Sequence, residues 1–208
     1  MNDPTETPDP IRIYHEKPIL PVMVGSGSEA PKRPGYFTVR ELAVIAILSA
    51  LGGVVSVPVG YASNFLNVLT IFPFGAPQIF AGIHVLWIVL AGLQVKRLGA
   101  ATVTGVLKGL VELTLYSFHG ALILPISITE GVVAEVMLAL LGRNRRLSVG
   151  IAGGLSTMSN VAVLSIMVLN VPLPIILFMG ALAFVSGFFF SAYVGKTASD
   201  RIRLIKTS

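Results

Sequence analysis

Apolar residues along this chain come in blocks of roughly 20, the length a helix needs to cross about 30 Å of hydrocarbon. The first block opens at Thr38-Val-Arg-Glu41, a hydroxyl at the N-cap position and a carboxylate three residues on, which is capping-box spacing. It is expected to run to about Val57 and to stop at Pro58 and Gly60. The following stretch, 61–76, is weakly apolar, is broken by Pro73 and Gly75, and holds Asn64 and Asn67, so it is not counted as a span. Further spans are predicted over 77–95, 99–117, 122–141, 148–170 and 173–195. The expected fold class is all-α, a polytopic membrane protein built as a bundle of six transmembrane helices.

The cations between the blocks give the bundle a direction. Lys32, Arg33 and Arg40 precede the first span, and Lys96 and Arg97 follow the second. Arg143, Arg145 and Arg146 follow the fourth, and Lys196, Arg201, Arg203 and Lys206 follow the sixth. The opposite connections, near 58–76, 117–121 and 171–172, contain no Lys or Arg. The positive-inside rule then places both the N- and C-termini in the cytoplasm, and a missed or extra span would scramble the alternation. Residues 1–36 carry seven of the 13 prolines, mixed charges and no apolar run of signal-peptide length, a composition that predicts a disordered cytoplasmic tail. The expected organisation is thus a tail over 1–36, a membrane domain over 37–197 and a basic cytoplasmic tail over 198–208.

Composition supports the membrane class and removes others. Hydrophobic residues make up 54% of the chain and charged residues 12%, with mean hydropathy +0.83; soluble domains carry roughly 25% charge. Cysteine is absent, which excludes thiolate and iron–sulfur chemistry from this chain. The net charge of +5 is accounted for by topology, so nucleic acid is not an expected partner, whereas the lipid bilayer is. There is no Walker-type Gly-x-x-x-x-Gly-Lys-Ser/Thr loop, no His-Glu-x-x-His and no Gly-x-Ser-x-Gly. Nothing in the sequence points to an enzyme, a cofactor or a resident metal.

Four Lys and Glu residues remain inside the spans: Lys108 and Glu112 in the third, Glu130 and Glu135 in the fourth. Each costs several kcal/mol if it faces lipid, so all four are expected to face the bundle interior or water. Lys108 and Glu112, four apart on one helix, are placed to pair. One cation then stands against three carboxylates. Protonation of a glutamate would settle that excess, as would a cationic or donor-rich ligand. Trp87, His84 and Tyr116, with Phe118 and His119 nearby, could stack on a flat heteroaromatic ligand, and Gln78, Asn64 and Asn67 could hydrogen-bond to it. The same aromatic residues are also ordinary interface anchors. Outside the tail, every proline sits at or near the outer end of a span. That pattern fits a cavity in the outer half of the bundle, and it equally fits simple helix termination.

Small residues recur at helical spacing in the first span, at Ala43, Ala46, Ala50 and Gly53. Such a stripe lets another helix approach closely, and here it could face another subunit. Gly105 and Gly109 in the third span, and Gly187, Ser191 and Gly195 in the sixth, read as internal packing.

With these features the chain resembles the substrate-binding (S) component of an energy-coupling factor transporter, and within that superfamily it is most similar to the YkoE family. The pieces that carry the resemblance are Ala-x-x-x-Ala at Ala46 and Ala50, Gly99-Ala100-Ala101, Leu110-Val111-Glu112, Glu130-Gly131-x-x-Ala134-Glu135, and Ser186-Gly187 with the run Gly195-Lys196-x-x-Ser199-Asp200. The likeness covers about 37–202. It implies a membrane subunit that captures a vitamin or precursor at the outer face, here thiamine or hydroxymethylpyrimidine. It also implies a transmembrane coupling protein and two cytoplasmic ATPase subunits as partners. By the same resemblance Ala46 and Ala50 would contact the coupling protein, and Glu112 and Glu135 would lie near the ligand. A carboxylate can accept from the exocyclic amine of an aminopyrimidine, and thiamine's fixed positive charge suits an anionic site. Two features depart from the family pattern: the proline-rich segment before Tyr36, and Lys108 where an apolar or small residue is expected.

Other readings stay open on the sequence. One is an S component for a different vitamin. Another is a standalone secondary transporter that relays protons through Glu130 or Glu135, although the inverted repeats such proteins use are not evident. An intramembrane enzyme using paired glutamates lacks a nucleophile and metal ligands.

Overall fold

The computed structural model describes residues 37–69, 76–117, 119–167 and 172–207, with 205–207 described as backbone only. The expectation of a disordered tail over 1–36 lies outside the described residues. Within them the chain is all-helical, without strands. The helices are α1 (Val39–Leu69), α2 (Ala76–Val95), α3 (Ala100–Thr114), α4 (Ile123–Leu141), α5 (Arg146–Met167), α6 (Leu173–Phe189) and α7 (Lys196–Thr207). A single 3-10 turn, Gly120–Leu122, leads into α4, and a π-helical turn, Phe190–Gly195, joins α6 to α7 without a break. Five helical bodies are long and apolar enough to cross a membrane: α1, α2, the turn with α4, α5, and α6 continued into α7. The protein is an integral membrane protein. The sixth body, α3, has 15 residues, about 22 Å at 1.5 Å per residue, less than the roughly 30 Å thickness of the hydrocarbon core.

The first helix begins as its sequence dictates. The Thr38 amide donates to Glu41 Oε2 (2.8 Å), and the Glu41 amide donates to Thr38 Oγ1 (3.3 Å), which is the reciprocal capping box. It does not end at Val57. α1 continues through Pro58 to Leu69, so Asn64 and Asn67 are helical and not part of a broken outer segment. Proline costs one backbone bond, but in a membrane bundle neighbouring helices and local adjustment make that loss tolerable. The segment read as a basic tail from residue 198 is helical as well, forming most of α7.

α2 is the centre of the bundle, touching α1, α3, α4, α5 and α6. Its inner face joins α3, α4 and α5 in one apolar cluster containing Val85, Ile88, Val89, Leu93, Ala101, Ala134, Leu138, Val149 and Ala152. α1 is peripheral: Ile47, Leu51, Val54 and Phe65 are all exposed and present a lipid-compatible surface.

The tightest seam lies between α5 and the α6 body. A Cβ at Gly153 would overlap the Ser191 side chain, and one at Gly187 would overlap Thr157 Oγ1. The backbones can therefore approach, and Thr157 Oγ1 donates to the Ala183 carbonyl across the seam at 2.7 Å. A Gly153→Val substitution forces the helices apart and is expected to destabilise the protein by about 1–3 kcal/mol. The melting temperature in detergent is the measurement. An unchanged value would mean that the seam repacks freely.

Candidate functional site

One end of the bundle is basic and held together by ion pairs. Arg97 Nε meets Glu41 Oε1 at 2.8 Å, and Arg143 Nη2 meets Glu135 Oε1 at 2.8 Å. The other oxygen of Glu135 accepts the Ala101 amide at 2.7 Å. This places a carboxylate on the first turn of α3, where unpaired amides and the helix dipole favour negative charge. Gly99, with φ 88°, makes the turn that aims that amide. At the same end Arg203 Nη2 donates to the Leu93 carbonyl at 2.7 Å, and Lys196 pairs with Asp200.

A cavity lies toward the opposite end, where α1, α2, α3, α4 and α5 converge. Helical spacing aims its lining. Gln78, Ala81 and His84 follow one another on a face of α2, Ile123, Ile126 and Glu130 on a face of α4, Asn160 and Leu164 on α5, and Gly60 and Ser63 on α1. Lys108 reaches it from α3, and His119 from the turn before α4. The free volume is about 30 Å³, room for about two waters, so the described state is closed around any larger molecule.

The polar groups of this region are buried and incompletely bonded. Glu130 is 1% exposed. Its Oε1 accepts from Asn160 Nδ2 at 3.0 Å, and its main-chain carbonyl accepts from Ser156 Oγ at 2.7 Å. Asn160 Oδ1 has no hydrogen-bond partner among the described residues. Lys108 is 0% exposed and forms an ion pair with Glu112, itself 1% exposed. The pair is in charge contact, but neither the Lys108 ammonium nor either Glu112 oxygen makes an aligned hydrogen bond among the described residues. Buried polar atoms without partners are rare, and each calls for a ligand, a water or a specific role.

Of the residues singled out in the sequence, Gln78, His84 and Glu130 line this cavity, and Glu112 stands one step behind it through Lys108. Glu135 is not brought there: it belongs to the basic end, tied to Arg143 and the start of α3. Trp87 also stays off the lining. It packs on α1 at Gly52 beside the Lys108 stem, with Nε1 buried and unpartnered among the described residues. Tyr116 is 85% exposed, with φ 54°, and its carbonyl accepts from Tyr61 Oη at 2.7 Å. Asn64 and Asn67 lie on the last turns of α1 and are not among the lining residues; Asn67 Oδ1 is buried and unpartnered among the described residues. Phe118 lies outside the described residues.

Sequence reasoning passed over Ser63 and Asn160. The signal for Asn160 was a carboxamide inside an apolar span, four residues after Ser156 and so on the same helix face. On α1, Ala43, Ala46 and Ala50 are exposed, whereas Gly53 is buried against Val111 of α3. Three members of the stripe therefore stand on an open face, and the fourth is used in internal packing.

The solved structure "Crystal structure of an S-component of ECF transporter" superposes with a TM-score of 0.74 at 22% identity, covering 82% of this chain and 88% of that one. The fold is thus the one seen in that S component. No curated protein matches the chain. Residues 40–163, from the cap of α1 through most of α5, match a family of transport proteins. The chain belongs to the family described as ABC-type cobalt transport system, permease component.

Proposed function

We propose that the protein is the substrate-capture subunit of an ATP-driven uptake transporter of the energy-coupling factor type, and that its ligand is thiamine or the hydroxymethylpyrimidine precursor. The observation that carries this reading is the polar cavity lined by Glu130, Asn160, Gln78 and His84, toward the end of the bundle whose connecting segments lack Lys and Arg. The positive-inside rule puts that end outside the cell membrane, so the cavity lies on the side of the medium. A buried carboxylate beside a carboxamide is suited to an aminopyrimidine edge: Glu130 accepts from the exocyclic amine, and the amide groups meet the ring nitrogens. No nucleotide-binding loop exists in this chain, so the energy comes from two partner ATPases through a transmembrane coupling protein. That protein docks on the open face at Ala43, Ala46 and Ala50.

The family description favours a second reading, a cobalt ion as cargo. One feature opposes it: no group of three or more His, Asp or Glu among the described residues could hold a metal ion. A proton-coupled secondary transporter is the remaining alternative; it predicts uptake that persists without ATPases.

The test is thermal stabilisation of the purified protein against thiamine, hydroxymethylpyrimidine, riboflavin, biotin and Co²⁺. A ligand at 100 times its Kd adds about 2.7 kcal/mol to the native state, a rise of several degrees in Tm. A rise with thiamine or hydroxymethylpyrimidine and none with Co²⁺ is expected. The reverse result would replace the vitamin by the metal.

A further inference from the structure

We propose that the protein carries a binding site for one anionic phospholipid, with the lipid phosphate at Arg146 and an acyl chain in the groove between α2 and the α6 body. The site is separate from the polar cavity and stands whichever ligand that cavity takes. Because Arg146 is at the basic end, the positive-inside rule assigns the lipid to the inner leaflet.

The groove is lined by Ile79 of α2 and by Leu182, Val185, Ser186, Phe189 and Phe190 of the α6 body. Its free volume is about 270 Å³, against about 30 Å³ in the polar cavity, so a hydrocarbon chain has room here. Ser186 is the one polar residue of the lining, and its hydroxyl is engaged on both sides. It donates to the Ile79 carbonyl at 2.5 Å and accepts from the Gly82 amide at 3.0 Å. A lining with no spare side-chain donor or acceptor suits an apolar chain rather than a polar solute. Ile79, Val185 and Phe189 are all exposed, so the groove opens on the outside of the bundle, where lipid lies.

Two aromatic rings connect the groove to the basic end. The ring centroids of Phe189 and Tyr193 are 5.1 Å apart, and the Arg146 guanidinium lies over the Tyr193 ring, 5.9 Å from its centroid. Arg146 is exposed at the start of α5. Every Asp and Glu side chain of the described residues is engaged elsewhere: Glu41 with Arg97, Glu112 with Lys108, Glu135 with Arg143, Asp200 with Lys196 and Glu130 with Asn160. Arg146 thus has a ring face on one side and no carboxylate partner among the described residues. Its planar fork of N–H donors matches a phosphate. Arg145, also exposed beside it, adds a second positive charge. A zwitterionic headgroup would bring an ammonium toward these two cations, whereas an anionic one would not. Tyr193 and Leu182 are 11 residues apart, about 16 Å along a helix, close to half of the roughly 30 Å hydrocarbon core. The site therefore has the depth of one leaflet, with a cation at its headgroup end and an apolar groove at the other.

The test is native mass spectrometry of the purified full chain in detergent, equilibrated with equimolar phosphatidylglycerol and phosphatidylcholine of matched acyl chains. Wild-type protein is expected to retain one phosphatidylglycerol, favoured over phosphatidylcholine by roughly fivefold, the factor that one arginine near a headgroup supplies. Arg146→Gln should abolish most of that preference. Val185→Trp, which fills the groove from an exposed position, should lower retention of both lipids. Arg40→Gln, an exposed arginine on α1, which packs on α2 and α3, should change neither. Equal retention of the two lipids by the wild type overturns the proposal. So does a preference that Arg146→Gln leaves intact, or one that Arg40→Gln reduces as much, since the lipid would then follow a diffuse basic face. Retention unaffected by Val185→Trp removes the groove from the site. A wild-type chain that holds no lipid but forms a dimer, which Val185→Trp dissociates, would give the groove to a second copy and end the lipid assignment.

Discussion

Glu130→Gln is expected to weaken pyrimidine binding by roughly 100-fold, about 2.7 kcal/mol, because it removes the charged acceptor of the cavity and substitutes an amide that donates where the ligand also donates. The same substitution should not harm the fold. In the described state Glu130 is 1% exposed, its side chain hydrogen-bonded by Asn160, and a buried carboxylate with so little compensation is costly to keep. An amide of the same shape removes that cost, so the ligand-free melting temperature should hold or rise. Loss of binding with undiminished stability is the signature of a residue retained for its ligand. Titration calorimetry and a melting curve on the same preparation decide it. Unchanged affinity would remove Glu130 from the site, and a collapse of the ligand-free Tm would make it structural.

The second large effect is expected from Ala46→Trp. Ala46 stands with Ala43 and Ala50 on an exposed face of α1, and an indole there holds an approaching helix several ångströms away. ATP-driven uptake in cells containing the coupling protein and ATPases should fall to background. Ligand titration on the isolated variant should match wild type, because Ala46 is far from the cavity lining. Normal uptake by the variant would mean that α1 is not the docking face.

Most helices were legible because membrane thickness sets the length of a spanning apolar block, and the orientation signal was legible because cations gather at one end. The course of α1 through Pro58 was not: the local rule that proline ends a helix yields to packing within a bundle, which no local pattern reports. The Lys108–Glu112 pair followed directly from four-residue spacing on one helix. Glu130 and Glu135 were read as one set of acids, yet five residues is about 140° of rotation and about 7.5 Å of rise along a helix. One therefore turns to the cavity, and the other to Arg143 and the start of α3. Gly53 differs for a related reason: it sits at the edge of the alanine stripe, where the helix surface turns toward Val111. Asn160 escaped notice because the fifth span has no ionisable residue to draw attention to its polar face. Its partner, Glu130, is 30 residues away.

The unequal heights of two adjoining helices bear on how the protein sits among lipids. α1 has 31 residues, about 46 Å, and α3 has 15, about 22 Å; Leu110 and Leu113 of α3 are 44% and 38% exposed, so both reach the outer surface. Acyl chains must stretch on one flank and compress on the other, at a cost of fractions of a kcal/mol per ångström of mismatch. A protein shaped this way tilts according to its surroundings. Shortening or lengthening the lipid tails by two carbons should therefore alter its inclination without any change in its contacts.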